Sequence, residues 1–312
     1  MSQFDAVGFG ALNVDKLFKV EKISGAEEES FVIDYSETCG GSAANTMVGM
    51  ARLACKVGFI GKVASDPEGK MLLQDLFREK VDTKAIATAE KGRSGKVMGF
   101  VDREGQRALY IDPGVNDQIE PEDVNLTYVT KTKLLHLTSF VGEGSFHTQK
   151  WLLGALPDTV QVSFDPGALY ARRGMPQLRP IIEKTTIMLP NSRELVLITG
   201  KSGYRDGARF LLDSGVKTVA VKLGSKGCYV TDDRESHLVA PFKVKVVDTT
   251  GAGDAFDAGF LYGLLNRQTL CESAVIGNFV ASRCIMAMGA RSGLPTLQEL
   301  KTDLRNYENK SR

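Results

Sequence analysis

The sequence has little of what would mark a specialised class. Of its 312 residues only five are cysteine, three histidine and one tryptophan. Cys39, Cys55, Cys228, Cys271 and Cys284 are odd in number and nowhere spaced CxxC. That excludes a disulfide framework or a cysteine-built zinc site, and reads as a reduced, cytoplasmic chain. His136, His147 and His237 share no HxxxH or HxH spacing, so a histidine metal cluster is not expected. Neither sign of charge is in excess, since 39 Lys+Arg face 38 Asp+Glu for a net charge of +1. A dedicated nucleic-acid binder needs a basic excess or a basic face. No apolar run approaches the ~18 residues of a membrane-spanning helix. The N-terminus lacks the basic and apolar regions of a signal peptide. What remains is ordinary globular composition, 43% hydrophobic and 25% charged, in a chain long enough for one large or two modest domains. Glycine stands out, with 32 residues where a typical share is ~7%.

Short apolar, β-branched runs alternate with helical patterns: 6–10, 57–60, 134–137, 160–164, 186–189 and 218–222. Runs apolar on both faces suit strands of a parallel sheet covered by helices, so the pattern predicts an α/β fold. Asp66-Pro67 reads as a helix start, with Leu72, Leu73, Leu76 and Phe77 at helical spacing behind it. Asn191 and Glu194 have the spacing of a capping box. Segments of about 16–37 and 94–111 break this rhythm and read as half-exposed antiparallel strands. They predict a small sheet projecting from the main body, as a lid or as surface hairpins.

Two glycine clusters open helices. The C-terminal one is Asp248-Thr249-Thr250-Gly251-Ala252-Gly253-Asp254, leading into an apolar helix. Small residues at a helix start let backbone N–H groups approach an anion, which the helix dipole favours. A carboxylate such as Asp254 beside that hole could take a proton from a hydroxyl attacking a phosphoryl group, while the N–H groups stabilise the developing charge. The alternative is a glycine-rich turn with Asp254 merely complementing the dipole. The N-terminal cluster is Cys39-Gly40-Gly41-Ser42-Ala43-Ala44-Asn45. There Gly40 and Gly41 permit close backbone approach, and Asn45 can donate and accept toward hydroxyls. It reads equally as a tight strand-to-helix turn.

Other nucleotide signatures fail. Gly8-Phe9-Gly10-Ala11-Leu12-Asn13 lacks the third glycine of a dinucleotide fingerprint. Gly200-Lys201-Ser202 lacks the first glycine of a P-loop, and neither HRD nor DFG occurs. Asn13 and Asp15 are polar groups at the end of the first strand, where open α/β sheets bind ligands.

Taken together, Gly40–Thr46 (GGSAANT) and Asp248–Phe260 (DTTGAGDAFDAGF) resemble the two signatures of the ribokinase-like, PfkB-type carbohydrate kinases. Asn13-Val14-Asp15, Asn191–Glu194, Lys222–Gly227 and Asn278 follow in the matching order, and the resemblance runs from about Phe4 to Leu300. It implies a ribokinase-like three-layer α/β fold, a central mostly parallel sheet flanked by helices, with a small β-sheet lid. Residues 1–312 would form a single kinase domain, with lid segments at about 16–37 and 94–111. It implies transfer of the ATP γ-phosphoryl group to a hydroxyl of a sugar or nucleoside, with Mg²⁺. Asp254 would be the general base and Gly251, Ala252 and Gly253 the anion hole. Asn13, Asp15, Gly40, Gly41 and Asn45 would hold substrate hydroxyls, with Glu143 a counterpart of an acidic ribose contact. Asn191, Lys222, Gly224, Ser225, Gly227 and Asn278 would line the nucleotide site, and Glu194 would reach Mg²⁺ through water. Asp248 and Thr250 match part of a K⁺ site found in many members. Lids in this family can pair into a homodimer, although other members are monomers.

For substrate, the acidic stretch at Glu27-Glu28-Glu29 and Asp34 disfavours an anionic sugar phosphate. Arg172 and Arg173 could instead take a sugar-acid carboxylate, as in ketodeoxygluconate kinases, or simply end a surface helix. A neutral, ribose- or fructose-like monosaccharide is the leading expectation. A nucleoside or ketodeoxygluconate comes second, and a non-catalytic sugar or nucleotide sensor is the reading from another class.

Overall fold

The apolar runs become strands whose successive residues face two different cores. The computed structural model describes residues 2–311. In chain order it contains β1 (Phe4–Phe9), β2 (Asn13–Val20), β3 (Val32–Gly40), α1 (Ser42–Arg52), β4 (Val57–Ala64), α2 (Pro67–Arg78), β5 (Asp82–Ala89), β6 (Gly95–Val101) and β7 (Arg107–Asp112). There follow α3 (Leu126–Val129), β8 (Thr132–Leu137), α4 (Glu143–Ala155), β9 (Gln161–Phe164), α5 (Gly167–Ala171), α6 (Gly174–Ile182), β10 (Ile187–Met188) and α7 (Ser192–Thr199). The last are α8 (Tyr204–Asp213), β11 (Thr218–Lys222), β12 (Cys228–Thr231), β13 (Ser236–Val239), α9 (Ala252–Leu265), α10 (Leu270–Cys284) and α11 (Leu297–Ser311).

Nine strands form the main sheet in the order β13-β12-β11-β10-β9-β8-β1-β4-β5. From β11 to β5 every pairing is parallel, and β12 and β13 add an antiparallel edge. Ala6, Leu134, Ile187 and Ala220 pack under α1, α9 and α10. Their neighbours Val7, Leu135, Met188 and Val219 pack under α4 to α8. This period-2 division across an all-apolar strand is what a three-layer architecture requires. The chain leaves β1 for β4 on one side and later returns to β8 on the other. The strand order therefore reverses at β1, which opens a crevice at the carboxyl ends of β1 and β8.

The two segments that break the βα rhythm form a separate four-stranded sheet, β3-β2-β6-β7. It extends a little beyond the expected limits, because β2 starts at Asn13 and β3 continues to Gly40. One pairing departs from the antiparallel expectation. β2 and β6 run parallel, with Asn13 opposite Gly95 and Phe18 opposite Phe100, because the connection between them passes through α1, β4, α2 and β5. Phe18 stacks on Phe100 at 5.1 Å and meets Tyr35 at 4.8 Å. Lys16 and Lys96 tie the sheet to Glu68 of α2 at 3.1 and 2.7 Å.

Gly41 makes the turn from the small sheet into α1 at φ 105°, and a Cβ there would run into the Ala11 carbonyl. Gly41→Ala is expected to cost about 1–3 kcal/mol from backbone strain alone. Urea denaturation would read this, and substrate affinity should fall with it, because the same turn borders the crevice.

Candidate active site

A cavity of about 120 Å³ lies at the strand-order reversal. Its walls come from Ala11 after β1, Asn13, the Gly41-Ser42 start of α1, Val97 and Ile111 of the small sheet, and Thr138–Val141 after β8. Asn116 and Asp117 complete the polar side. Asn116 is buried and donates to Asn13 Oδ1 at 3.1 Å, while it also grips the Leu12 backbone at 2.9 Å on both N–H and C=O. Its amide therefore fixes which way Asn13 presents its own. Asp15, two residues on in β2, is outside the residues that line this cavity and packs against Gly40, whose missing side chain leaves room for the carboxylate. Burial raises the Asp15 pKa to about 6 despite the opposing charge of Arg291.

The glycine-rich run after Asp248 opens α9, as its small residues predict. Gly251 caps α9 at φ 75°, with Ala290 packed where a Cβ would stand. The Ala252 N–H turns back to the Thr249 carbonyl at 3.2 Å. The first intrahelical bond runs from the Ala255 N–H to the Gly251 carbonyl at 2.9 Å. The Gly253 and Asp254 N–H groups therefore precede any helical acceptor and can face an anion. Asp254 stands in this first turn. Burial pushes its carboxyl up to about 7, and the Asp165 charge adds to the effect, while Asn45, Lys222 and Arg291 oppose it. A carboxylate with that pKa suits proton abstraction near neutral pH.

Asn45 connects the two glycine clusters. Its Nδ2 donates to Asp254 Oδ2 at 2.8 Å and its Oδ1 accepts from Arg291 Nε at 2.7 Å. Arg291 is absent from the residues that sequence reading nominates. It belongs to neither glycine signature and acts from the segment after α10, so only its proximity in space reveals it.

Lys222, expected to line the nucleotide site, ends β11 inside a buried charge cluster. Its Nζ lies 2.9 Å from Asp165 and 3.1 Å from Asp257. It also comes within 3.5 Å of the place a Gly253 Cβ would occupy. The two carboxylates hold the ammonium charged even though burial opposes it. Burial and the Asp165 charge raise the Asp257 pKa, and the Lys222 charge opposes them. For Asp165 burial is the largest influence and pushes upward, but the Lys222 charge together with hydrogen bonds to Asp257, Lys222 and the Gly167 N–H outweighs it and lowers the pKa. Neither Asp165 nor Asp257 carried a functional assignment from sequence, since each reads there as an ordinary turn or helix residue.

The remaining nominated residues divide by position. Asn191 and Glu194 form the expected capping box, with Glu194 N–H donating to Asn191 Oδ1 at 2.9 Å and Asn191 N–H to Glu194 Oε2 at 2.8 Å. Glu194 is also buried, and burial together with the Asp165 charge raises its pKa. Gly224 and Ser225 sit on an exposed turn at the end of β11, and Gly227 closes it at φ 86° under the Val239 carbonyl. Asn278 is buried and donates to the Val239 and Ala240 carbonyls at 3.1 and 3.0 Å, so it fastens α10 to the end of β13. Asp248 accepts from Thr250 N and Oγ1 at 3.0 and 2.8 Å and from Gly289 N at 2.9 Å. Arg107 of β7 reaches it from the small sheet at 3.7 Å. Glu143 lies apart from the cavity walls. Its side chain is 66% exposed and pairs with Arg173 at 2.6 Å, and the Arg173 guanidinium covers the Phe146 ring at 4.3 Å. Asp117 is the carboxylate that faces the cavity instead.

An α/β sheet with a crevice at its strand-order reversal, free N–H groups at a helix start and a carboxylate of raised pKa beside them suit phosphoryl transfer. The family model for pfkB family carbohydrate kinases matches residues 3–297, and the chain belongs to that family. It is accordingly an ATP-dependent sugar kinase, a phosphotransferase with an alcohol acceptor. An uncharacterized sugar kinase of Archaeoglobus fulgidus is 46% identical over 251 residues, 80% of this chain and 98% of that one. An ATP-dependent ribose-1-phosphate kinase of Halopiger xanaduensis is 31% identical over 283 residues, covering 91% and 92%. Among solved structures, ribokinase of Arabidopsis thaliana complexed with ribose and ATP superposes with a TM-score of 0.88 at 24% identity, covering 98% and 99%. Among the described residues, no helix is long and apolar enough to cross a membrane.

Proposed function

We propose that the chain phosphorylates a hydroxyl of a neutral monosaccharide, ribose- or fructose-like. One observation carries this reading: the cavity walls include amides, hydroxyls and the Asp117 carboxylate but no lysine, arginine or histidine. A phosphate on the substrate would need a cationic partner there. Arg172 and Arg173 do not supply one, since neither belongs to those walls and Arg173 is engaged with Glu143. Asn13, Asp15 and Asn45 would hold the sugar hydroxyls, Asp254 would take the proton, and the Gly253 and Asp254 N–H groups would receive the transferred phosphoryl. The nucleotide would lie across the ends of β10 and β11, against Asn191 and the Gly224–Gly227 turn. A nucleoside is the second reading, favoured by the apolar wall of Val97, Ile111, Phe140, Val141 and Leu169.

Mg²⁺ would be held by the phosphates and, through water, by the buried Glu194 carboxylate, as suits an ion that keeps much of its hydration. It would supply charge neutralisation on the polyphosphate. For a monovalent cation the donors are oxygens, as a hard ion requires. Asp248 is one, and the Thr250 and Ala290 carbonyls converge on Cys284 Sγ at 3.6 and 3.4 Å. The small sheet would act as the lid of a single-domain enzyme. Its edge strands expose Val32, Ile33, Tyr35, Leu109 and Tyr110, which a homodimer through the lid would cover.

The test is a coupled ADP-release assay across ribose, fructose, ketodeoxygluconate, nucleosides, fructose 6-phosphate and ribose 1-phosphate. A neutral sugar should give the highest kcat/KM, and the phosphorylated sugars should be poor. A preference for a sugar phosphate would overturn this assignment. No ADP release with any acceptor, alongside measurable sugar binding, would favour a sensor.

A further inference from the structure

Arg291 is 9% exposed and lies in the segment between α10 and α11. Its guanidinium spans three elements. Nη1 binds the Asp75 carboxylate of α2, Nη2 lies 3.5 Å from the Gly40 carbonyl that ends β3, and Nε donates to Asn45 Oδ1 of α1 at 2.7 Å. Its own carbonyl is held by Arg52 Nη1 at 2.7 Å. A guanidinium offers only donors. The Asn45 amide must therefore turn its oxygen to Arg291, and its NH₂ is then aimed at Asp254 Oδ2, 2.8 Å away. The rotation of the Asp254 carboxylate is thus set by a residue that does not touch it.

We propose that Arg291 is a positioning residue for phosphoryl transfer, which fixes the orientation of the Asp254 carboxylate through the Asn45 amide. The inference rests on Asp254 being the base. Reacting groups must be held close to the productive geometry, and a displacement of about 1 Å can cost roughly 10²-fold in rate. Charge acts alongside orientation. The groups facing Asp254 are Lys222 of β11, Asp165 after β9, Asp257 on its own helix, Cys284 of α10 and Arg291. Of the two cations Lys222 and Arg291, Lys222 is already shared between two carboxylates. Without Arg291, Asp254 would keep its proton to higher pH.

The test compares Arg291→Met, Arg291→Lys, Asp75→Asn, Asn45→Ala and the double variant Arg291→Met/Asn45→Ala, with nucleotide affinity used to count folded enzyme. Arg291→Met should lower kcat roughly 10²-fold and move the acid limb of kcat/KM to higher pH. Arg291→Lys keeps the charge without the fixed fork, so the limb should return while kcat recovers only in part. Asp75→Asn breaks the same ion pair but leaves the contact to Asn45, and kcat should change far less. On the high-pH plateau, where Asp254 is ionised in every variant, the double variant should be no slower than Asn45→Ala, because both remove one linkage. Wild-type kcat in folded Arg291→Met, an equal kcat loss in Asp75→Asn, or additive losses in the double variant would each overturn the proposal. If Asp254→Asn keeps its turnover, the base assignment itself fails. If Asp254→Asn is inactive while Arg291→Met turns over normally, only the role of Arg291 fails.

Discussion

Replacing Asp254 by asparagine should lower kcat about 10²- to 10⁴-fold, while ATP affinity stays close to that of the unaltered protein. Asparagine keeps the shape and the contact with Asn45 but cannot take a proton. Steady-state kinetics with the preferred sugar, together with nucleotide titration, would measure both. Turnover near the unaltered value would remove Asp254 from the role of base. The pH dependence follows from the same residue. Its pKa is raised by burial to about 7, and only the ionised form is a base, so kcat/KM should climb with pH and level off above that value. For stability the sign is opposite. The folded state binds this proton more tightly than the unfolded chain, so between the ordinary carboxylate pKa and about 7 folding loses stability as pH rises. The site is thus strained toward protonation, and activity requires the less comfortable form.

The second large effect is on Lys222. Lys222→Met would leave Asp165 and Asp257 buried without their cation, and losing one partner of a buried ion cluster costs about 3–5 kcal/mol. Urea denaturation at neutral pH should show that loss. Because the folded-state pKa of Lys222 is raised, its stabilisation is fully present below the ordinary lysine value, and therefore throughout the neutral range. The deficit should shrink as pH falls, since the orphaned carboxylates can then protonate. A deficit independent of pH would mean that the cluster is not electrostatically coupled. Phosphoryl transfer should also slow, because Lys222 stands just beneath Gly253.

Much of this was legible because periodicity and small-residue runs are local. The apolar strands, the Asp66 and Asn191 helix caps, and both glycine-opened helices need only neighbouring residues to be recognised. Val57–Ile60 extends to β4, and Gly251 adopts the left-handed conformation that its place before α9 requires. What stayed hidden depends on contacts between distant segments. Arg291 meets Asn45 across 246 positions of sequence, and Asn116 meets Leu12 across 104. Glu143, which only the family resemblance nominates as a counterpart of an acidic ribose contact, stands at the start of α4 with its side chain paired to Arg173. The parallel pairing of β2 with β6 was equally hidden, since strand direction depends on the route of the intervening chain.

One feature of the small sheet bears on how sugar binding is linked to turnover. Asn13 and Asp15 belong to β2, a strand of that sheet, whereas Asp254 and the anion hole belong to the main body. A sugar held by both groups bridges two parts of the molecule, so the interaction that recognises it also draws the two parts together. Under the proposed assignment of Asp15 to a substrate hydroxyl, a sugar lacking that hydroxyl would lose more than affinity. It would occupy the enzyme without assembling the site, and the defect should appear in kcat as well as in KM.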